Sequence, residues 1–197
     1  GALLLIEALF MALALGVSLW YNEADSGVFL LSTIVTLIAG IIGLLIGIGA
    51  ESKMGEREGY VIVAMVWVVF SAFGLLPYYL SGQVPTLTDA WFESMSGFTT
   101  TGASILNDIE ALPRGLQFWR MATCWIGGIG VVMFALVILP SIGKSKMMLS
   151  NFELSSLAKD NFNLYRTPTV VRIVLSVYVG LTVVTTLLLK LCGMTWF

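Results

Sequence analysis

Histidine is absent from the 197 residues, cysteine occurs only twice, and charged side chains make up just 11% of the chain. Without histidine, the common zinc sites and the Ser-His or Cys-His pairs of hydrolases cannot be built, and most hydrolase readings fall away. Cys124 and Cys192 lie far apart in apolar stretches with no CxxC spacing, which reads as two plain buried thiols and no disulfide framework. No GxxxxGK[ST] loop is present to cradle a nucleotide. Ten basic against twelve acidic residues give a net charge of -2, without the excess of positive charge that nucleic-acid binding needs. What remains is apolar: 58% of the chain, where a soluble domain carries about 45–50% with ~25% charged residues. The composition is that of an all-α integral membrane protein.

A hydrocarbon core ~30 Å thick needs about 20 residues of helix to cross it. Five apolar runs approach that length: Ala2 to Trp20, Val28 to Ala50, Tyr60 to Leu80, roughly Leu116 to Leu139 ahead of Pro140, and about Val170 to Cys192. The first lacks the basic flank of a signal peptide and begins at Gly1, which fits a truncated or processed start. Orientation follows from the basic residues of the loops. Lys53, Arg57, Lys144, Lys146, Lys159, Arg166 and Arg172 fall on one side, and only Arg114, Arg120 and Lys190 on the other. The richer side is expected in the cytoplasm, and the N-terminus with it. The stretch between the third and fourth runs must then leave and return on the outer side.

That stretch, Ser81 to Gly115, is the informative one. Thr86 followed three residues later by Asp89 has the form of a capping box, predicting a helix from Leu87 to about Phe98. Twelve residues give about 18 Å of helix, little more than half the hydrocarbon thickness. The next residues, Thr99 to Ser104, are mostly hydroxyl-bearing around Gly102 and suit a helix poorly. Non-helical backbone at membrane depth is tolerated only inside protein or along a watery path. One reading is a re-entrant hairpin, in which an extended strand climbs back with its carbonyls facing an axis. Such carbonyls replace a cation's hydration shell, and the negative C-terminal end of the short helix favours the same charge. Gly102 would let successive carbonyls face one pore, because it adopts positive φ freely. The other reading is a threonine-rich outer loop after an amphipathic helix.

The blocks Asp89 to Ser94, Gly97 to Ser104, Leu112-Pro113, Phe118-Trp119-Arg120, Trp125 to Gly130 and Ile138-Leu139-Pro140 carry a resemblance. In order and spacing they resemble the membrane subunit of the bacterial Trk potassium uptake system, in the Trk/Ktr/HKT superfamily. The resemblance implies four linked repeats of outer helix, pore helix and inner helix around one pore, preceded by two extra helices. By that pattern residues 1–58 supply the extra pair, 59–140 the first repeat, 141–168 a cytoplasmic loop, and 169–197 the outer helix of an incomplete second repeat. A faint internal echo, Leu80-Ser81-Gly82 against Leu191-Cys192-Gly193, agrees.

The resemblance further implies K+ uptake across the bacterial inner membrane, with backbone carbonyls of Thr99, Thr100, Thr101, Gly102 and Ala103 forming one quarter of a selectivity filter. The K+ ion would sit at Thr100, Thr101 and Gly102, with no bound cofactor beyond the transported ion. A glycine at the filter position goes with K+ in this superfamily. A homodimer and a cytosolic nucleotide-binding regulatory ring are implied as partners, with lipid around them. Two other classes stand beside this one. A pore-free scaffold or assembly subunit would show no cation density at the carbonyls beside Gly102, and a channel built from copies of one hairpin would form fourfold homo-oligomers in mild detergent.

Several residues carry alternative roles. Arg120 and Glu93 fall at membrane depth, where unpaired charge is costly, so Arg120 is expected to pair with Glu93 or Asp89 and anchor the pore helix, or else to snorkel outward. Direct coordination of the ion by Glu93 is disfavoured, because its helix precedes the filter. Thr86, Asp89, Glu93 and Arg120 are thus support residues. Glycines at 40, 43, 47, 127, 128 and 130 suit close helix packing. Glu7, early in the first run, reads as an interfacial or protonated carboxyl in preference to a proton relay, and Glu23, Asp25, Asp108 and Glu110 as a solvated outer face in preference to a cation-enriching mouth. The stretch Lys144 to Arg166 has the pattern of an amphipathic surface helix, and the resemblance suggests contact with the regulatory ring there.

Overall fold

The computed structural model describes residues 1–48, 56–131 and 167–194. These form two compact units, Gly1–Gly128 and Ile129–Phe197. Among the described residues all regular structure is helical and there is no strand.

In the first unit, α1 (Ala2–Trp20) and α2 (Ser26–Gly47) pack side by side. On α1 the buried positions Leu4, Glu7, Ala8, Met11, Ala14 and Ser18 recur at helical spacing, and on α2 they are Phe29, Ser32, Thr36 and Gly40. Both helices present apolar side chains on their outer faces as well, as suits a lipid surround. The buried hydroxyls remain satisfied by bonding back along their own helix: Ser32 Oγ donates to Val28 O at 2.9 Å and Thr36 Oγ1 to Ser32 O at 2.8 Å. The turn between the helices is closed at Asn22, with φ 54°, while Asn22 N–H and Glu23 N–H return to Leu19 O and Ser18 O. Asparagine tolerates that conformation better than most residues.

The third apolar run is not one helix. α3 (Glu56–Gly74) stops, and α4 (Leu76–Leu80) follows after a one-residue break at Leu75. The cause is Pro77, which lacks an N–H and fits only the first turn of a new helix. Trp119 Nε1 donates to Gly74 O at 3.0 Å, filling the acceptor that the break exposes. α5 (Leu87–Phe98) follows, and then α6, described over 114–131.

By length and apolar composition three described helices can cross a membrane, namely Ala2–Trp20, Ser26–Gly47 and Arg172–Leu191, whereas the apolar part of α3 and α4, Ala64–Leu80, is shorter. The expected end of the fourth run, at 132–140, and the whole of Lys144 to Arg166 lie outside the described residues.

In the second unit, α7 (Thr167–Leu191) is closed by Gly193 at φ 90°. Cys192 is exposed there, against the expectation of a buried thiol, because the face of α7 around it is uncovered. Cys124, on α6, is half-buried.

Candidate ion-permeation site

α5 occupies the range that the Thr86 to Asp89 spacing predicts. Thr86 is extended at φ -111° and ψ 148°, and its Oγ1 accepts from Asp89 N–H at 3.1 Å. This side chain satisfies one of the N–H groups that every helix start leaves open.

The C-terminal end differs from an extended strand. Thr101 N–H returns to Ser96 O at 3.0 Å and Thr100 N–H to Gly97 O at 2.9 Å, the paired bonds of a Schellman closure. The left-handed position of that closure, usually glycine, is held by Thr100 with φ 57°. A β-branched residue there is a conformational outlier. Gly102 is left-handed too, with φ 74°, whereas Thr99 has φ -80° and Thr101 is not among the positive-φ residues. The backbone hand therefore alternates from Thr99 to Gly102.

The consequence is directional. Four successive N–H groups, those of Thr99, Thr100, Thr101 and Gly102, all turn back onto carbonyls of the last turn of α5, at 2.9 to 3.4 Å. In a trans peptide the C=O of one residue points opposite to the N–H of the next, and no peptide here is cis. The carbonyls of Thr99, Thr100 and Thr101 thus point away from the helix end, and among the described residues no donor reaches them. Residues 100 to 103 are exposed. Ala103 is different, because its carbonyl accepts from Ser96 Oγ at 2.5 Å and faces back to the helix.

Glu93 holds the returning segment. It is buried, and its Oε1 accepts from Ser104 Oγ at 2.5 Å and from Ile105 N–H at 2.7 Å, while Oε2 faces Arg120 Nε at 3.4 Å. Ser104 Oγ in turn accepts from Leu106 N–H at 3.1 Å. Arg120 thus meets Glu93, and Asp89 takes no part in that pair. With both oxygens engaged, Glu93 is turned to the returning backbone.

α6 lies against the back of this turn. A Cβ on Gly127 would collide with the Phe98 carbonyl, and one on Gly97 with the Thr123 hydroxyl, so both helices need glycine at their crossing. Phe98 packs its ring 5.1 Å from Phe70 and edge-on to Trp119 at 6.3 Å. At Gly102 an added Cβ would meet nothing within 4 Å, so within this chain the demand for glycine comes from φ and not from crowding.

Two of the acidic residues read as a solvated face have other work. Glu23 Oε1 accepts from Arg114 N–H at 2.6 Å and Oε2 from Gly115 N–H at 3.0 Å, so the turn after α1 caps the start of α6. Asp25 is buried, with Ser18 Oγ donating to its Oδ1 at 2.5 Å. Asp108 is exposed, but its Oδ1 accepts from Glu110 and Ala111 N–H and shapes the local turn. Sequence reading also passed over Ser96 and Ser104. Ser96 lies on the buried side of α5, and Ser104 in the hydroxyl-bearing run that follows it.

A family model described as "TrkH: Cation transport protein" matches residues 26–194. Among curated proteins, the chain is 33% identical over its full length to the "Trk system potassium uptake protein TrkH" of Halomonas elongata, of which it covers 41%. It is 34% identical over 97% of its length to the protein of the same name from Escherichia coli (strain K12), covering 35% of it. The crystal structure of the potassium transporter TrkH from Vibrio parahaemolyticus superposes with a TM-score of 0.80 at 26% identity, covering 99% of this chain and 38% of that one. The chain therefore spans about two fifths of the length of the relatives it matches.

Proposed function

Because the chain belongs to the TrkH family of cation transport proteins, which are transporters and not enzymes, we propose that it forms the N-terminal part of a K+ uptake subunit of the bacterial inner membrane. Its share of the work is one quarter of a carbonyl-lined filter, set by α5 and the turn from Thr99 to Gly102 within a repeat of outer, pore and inner helix. The observation that carries this reading is the alternating backbone, which sends the carbonyls of Thr99, Thr100 and Thr101 away from the end of a half-length helix. Those carbonyls replace part of the water shell of a dehydrated K+, and the negative end of α5 lies behind them. Ala103, whose carbonyl is bonded to Ser96, contributes through that bond to the shape of the loop.

In this reading five spans and one re-entrant helix make up the described and undescribed parts together, with the N-terminus in the cytoplasm. The remaining carbonyls come from the later repeats of the full-length protein. That protein is a homodimer docked on a cytosolic nucleotide-binding ring, which the basic stretch from Lys144 to Arg166 meets.

The test is a flux assay on the full-length transporter. Gly102→Ser must hold φ near 74° with a Cβ and is expected to lower K+ over Na+ discrimination, whereas Thr86→Ala, costing about 0.5–2 kcal/mol at the cap, leaves it intact. An unchanged K+/Na+ ratio in Gly102→Ser refutes the filter assignment.

A further inference from the structure

Behind the pore helix lie two buried polar groups that the proposed filter does not use. Glu7 on α1 is fully buried, at 0% exposure, and neither of its carboxyl oxygens has a hydrogen-bond partner. Ser94 on α5 is equally buried, and its Oγ is also unpartnered. The two converge on the bare backbone face of Gly74, against which Phe98 also packs. A Cβ built there would stand 2.6 Å from Ser94 Oγ, 3.2 Å from Glu7 Oε1 and 2.5 Å from the Phe98 ring. Glu7 and Ser94 do not bond to each other directly, yet two O–H···O bonds of about 2.8 Å span such a gap.

Depth and charge narrow what can join the two groups beside Gly74. Glu7 stands six residues into a helix long enough to cross the bilayer, and Ser94 lies near the inner end of the half-length helix. No described cation answers the carboxyl. α2 carries no titratable side chain. On α5 the carboxylate of Glu93 is engaged by Ser104, Ile105 and Arg120, and Asp89 stands in the first turn, well above Ser94. α4 contributes Tyr78, and α6, which reaches α1 through the Phe10 to Trp125 ring contact at 5.7 Å, contributes Arg120 and Cys124. An unpaired carboxylate at that depth is strongly disfavoured, and buried polar groups without protein partners are the places where structural water resides.

We propose that Glu7 and Ser94 form a binding site for one proton and one water molecule, which together bridge α1 to the back of the pore helix. The proton removes the charge of the carboxyl. The water accepts from the acid O–H and donates to Ser94 Oγ, leaving one further hydrogen to the acid carbonyl. Ser94 is one turn before Phe98, whose carbonyl abuts Gly127, so the site fixes the end of α5 from behind. Glu7 is then a positioning residue, and it gives the extra N-terminal pair a direct hold on the element that sets the filter.

Infrared difference spectroscopy on the full-length transporter in lipid bilayers at neutral pH tests this without reference to ion flux. The wild type is expected to show the C=O stretch of an un-ionised carboxylic acid, slow to exchange in deuterated water. Glu7→Gln should lose that band while retaining a folded protein. Ser94→Ala should shift it toward the frequency of a less strongly bonded acid. A spectrum unaltered by Glu7→Gln means the carboxyl is ionised and overturns the proposal. A band indifferent to Ser94→Ala overturns the bridge to the pore helix. Should Glu7→Gln fail to fold, the Ser94→Ala shift decides alone. Because no outcome depends on selectivity, failure here leaves the filter reading standing.

Discussion

Removal of the Glu93 carboxylate should unfasten the return segment, and the cost can be built from its three partners. Oε1 takes the Ser104 hydroxyl and the Ile105 N–H, both part-buried, and Oε2 meets Arg120 through Nε alone at 3.4 Å. Hydrogen bonds to a charged acceptor contribute about 1.5–3 kcal/mol each, and partial access of water to Ser104 and Ile105 reduces the pair to roughly 2–3 kcal/mol. The arginine is 18% exposed and its contact is single, so the ion pair adds about 0.5–1 kcal/mol. Glu93→Ala should therefore cost about 3 kcal/mol, most of it from the loop and not from Arg120. The assay is denaturant unfolding of the full-length transporter in mild detergent, with double-mutant cycles. Coupling of Glu93→Ala to Ser104→Ala should exceed its coupling to Arg120→Ala. The reverse order, or a total cost below about 1 kcal/mol, refutes the view that Glu93 serves chiefly to hold the returning backbone.

Other outcomes follow from the same geometry. Gly127→Ala drives a Cβ into the Phe98 carbonyl and should cost about 1–3 kcal/mol by overpacking, read as lowered unfolding midpoint, with Gly16→Ala, where a Cβ meets nothing within 4 Å, as the comparison. Glu23→Gln keeps one acceptor for the start of α6 but removes the charge, and should lower stability by about 0.5–2 kcal/mol in the same unfolding assay. For topology, single cysteines at Ser26 and Asp108, in a background lacking Cys124 and Cys192, should react with an impermeant thiol reagent from outside intact cells, while one at Ser145 stays unlabelled. Labelling at Ser145 would reverse the orientation.

Local signals were readable and distant ones were not. The start of α5 is written in Thr86 and Asp89, three residues apart, and its end in the hydroxyl-rich run after Phe98, so its length follows from neighbours in sequence. The break in the third run was also written, as Pro77, but the apolar composition on either side outweighed it in a reading by hydropathy. Thr100 is another matter. Its left-handed backbone contradicts its own β-branched preference, and only the closure of α5 onto Ser96 and Gly97 compels it. Glu23 looked like one more solvated acid because its partners, the N–H groups of Arg114 and Gly115, lie about ninety residues downstream. The serines that hold the return segment were invisible for a similar reason, since a small hydroxyl reads alike on a wet face and in a dry crevice.

The cap from Glu23 also imposes an order on synthesis. The ribosome delivers the turn after α1 long before it delivers α6, so a carboxylate is already in place when Arg114 and Gly115 arrive. Gly115 then seats against Ser18, Asp25 and Phe29, where a Cβ would crowd all three. The earlier hairpin acts as a template that receives the later helix and sets its depth. A shortened gene product beginning after residue 58 would still contain α4 to α6 and most of α3, and yet offer the start of α6 no prepared acceptor.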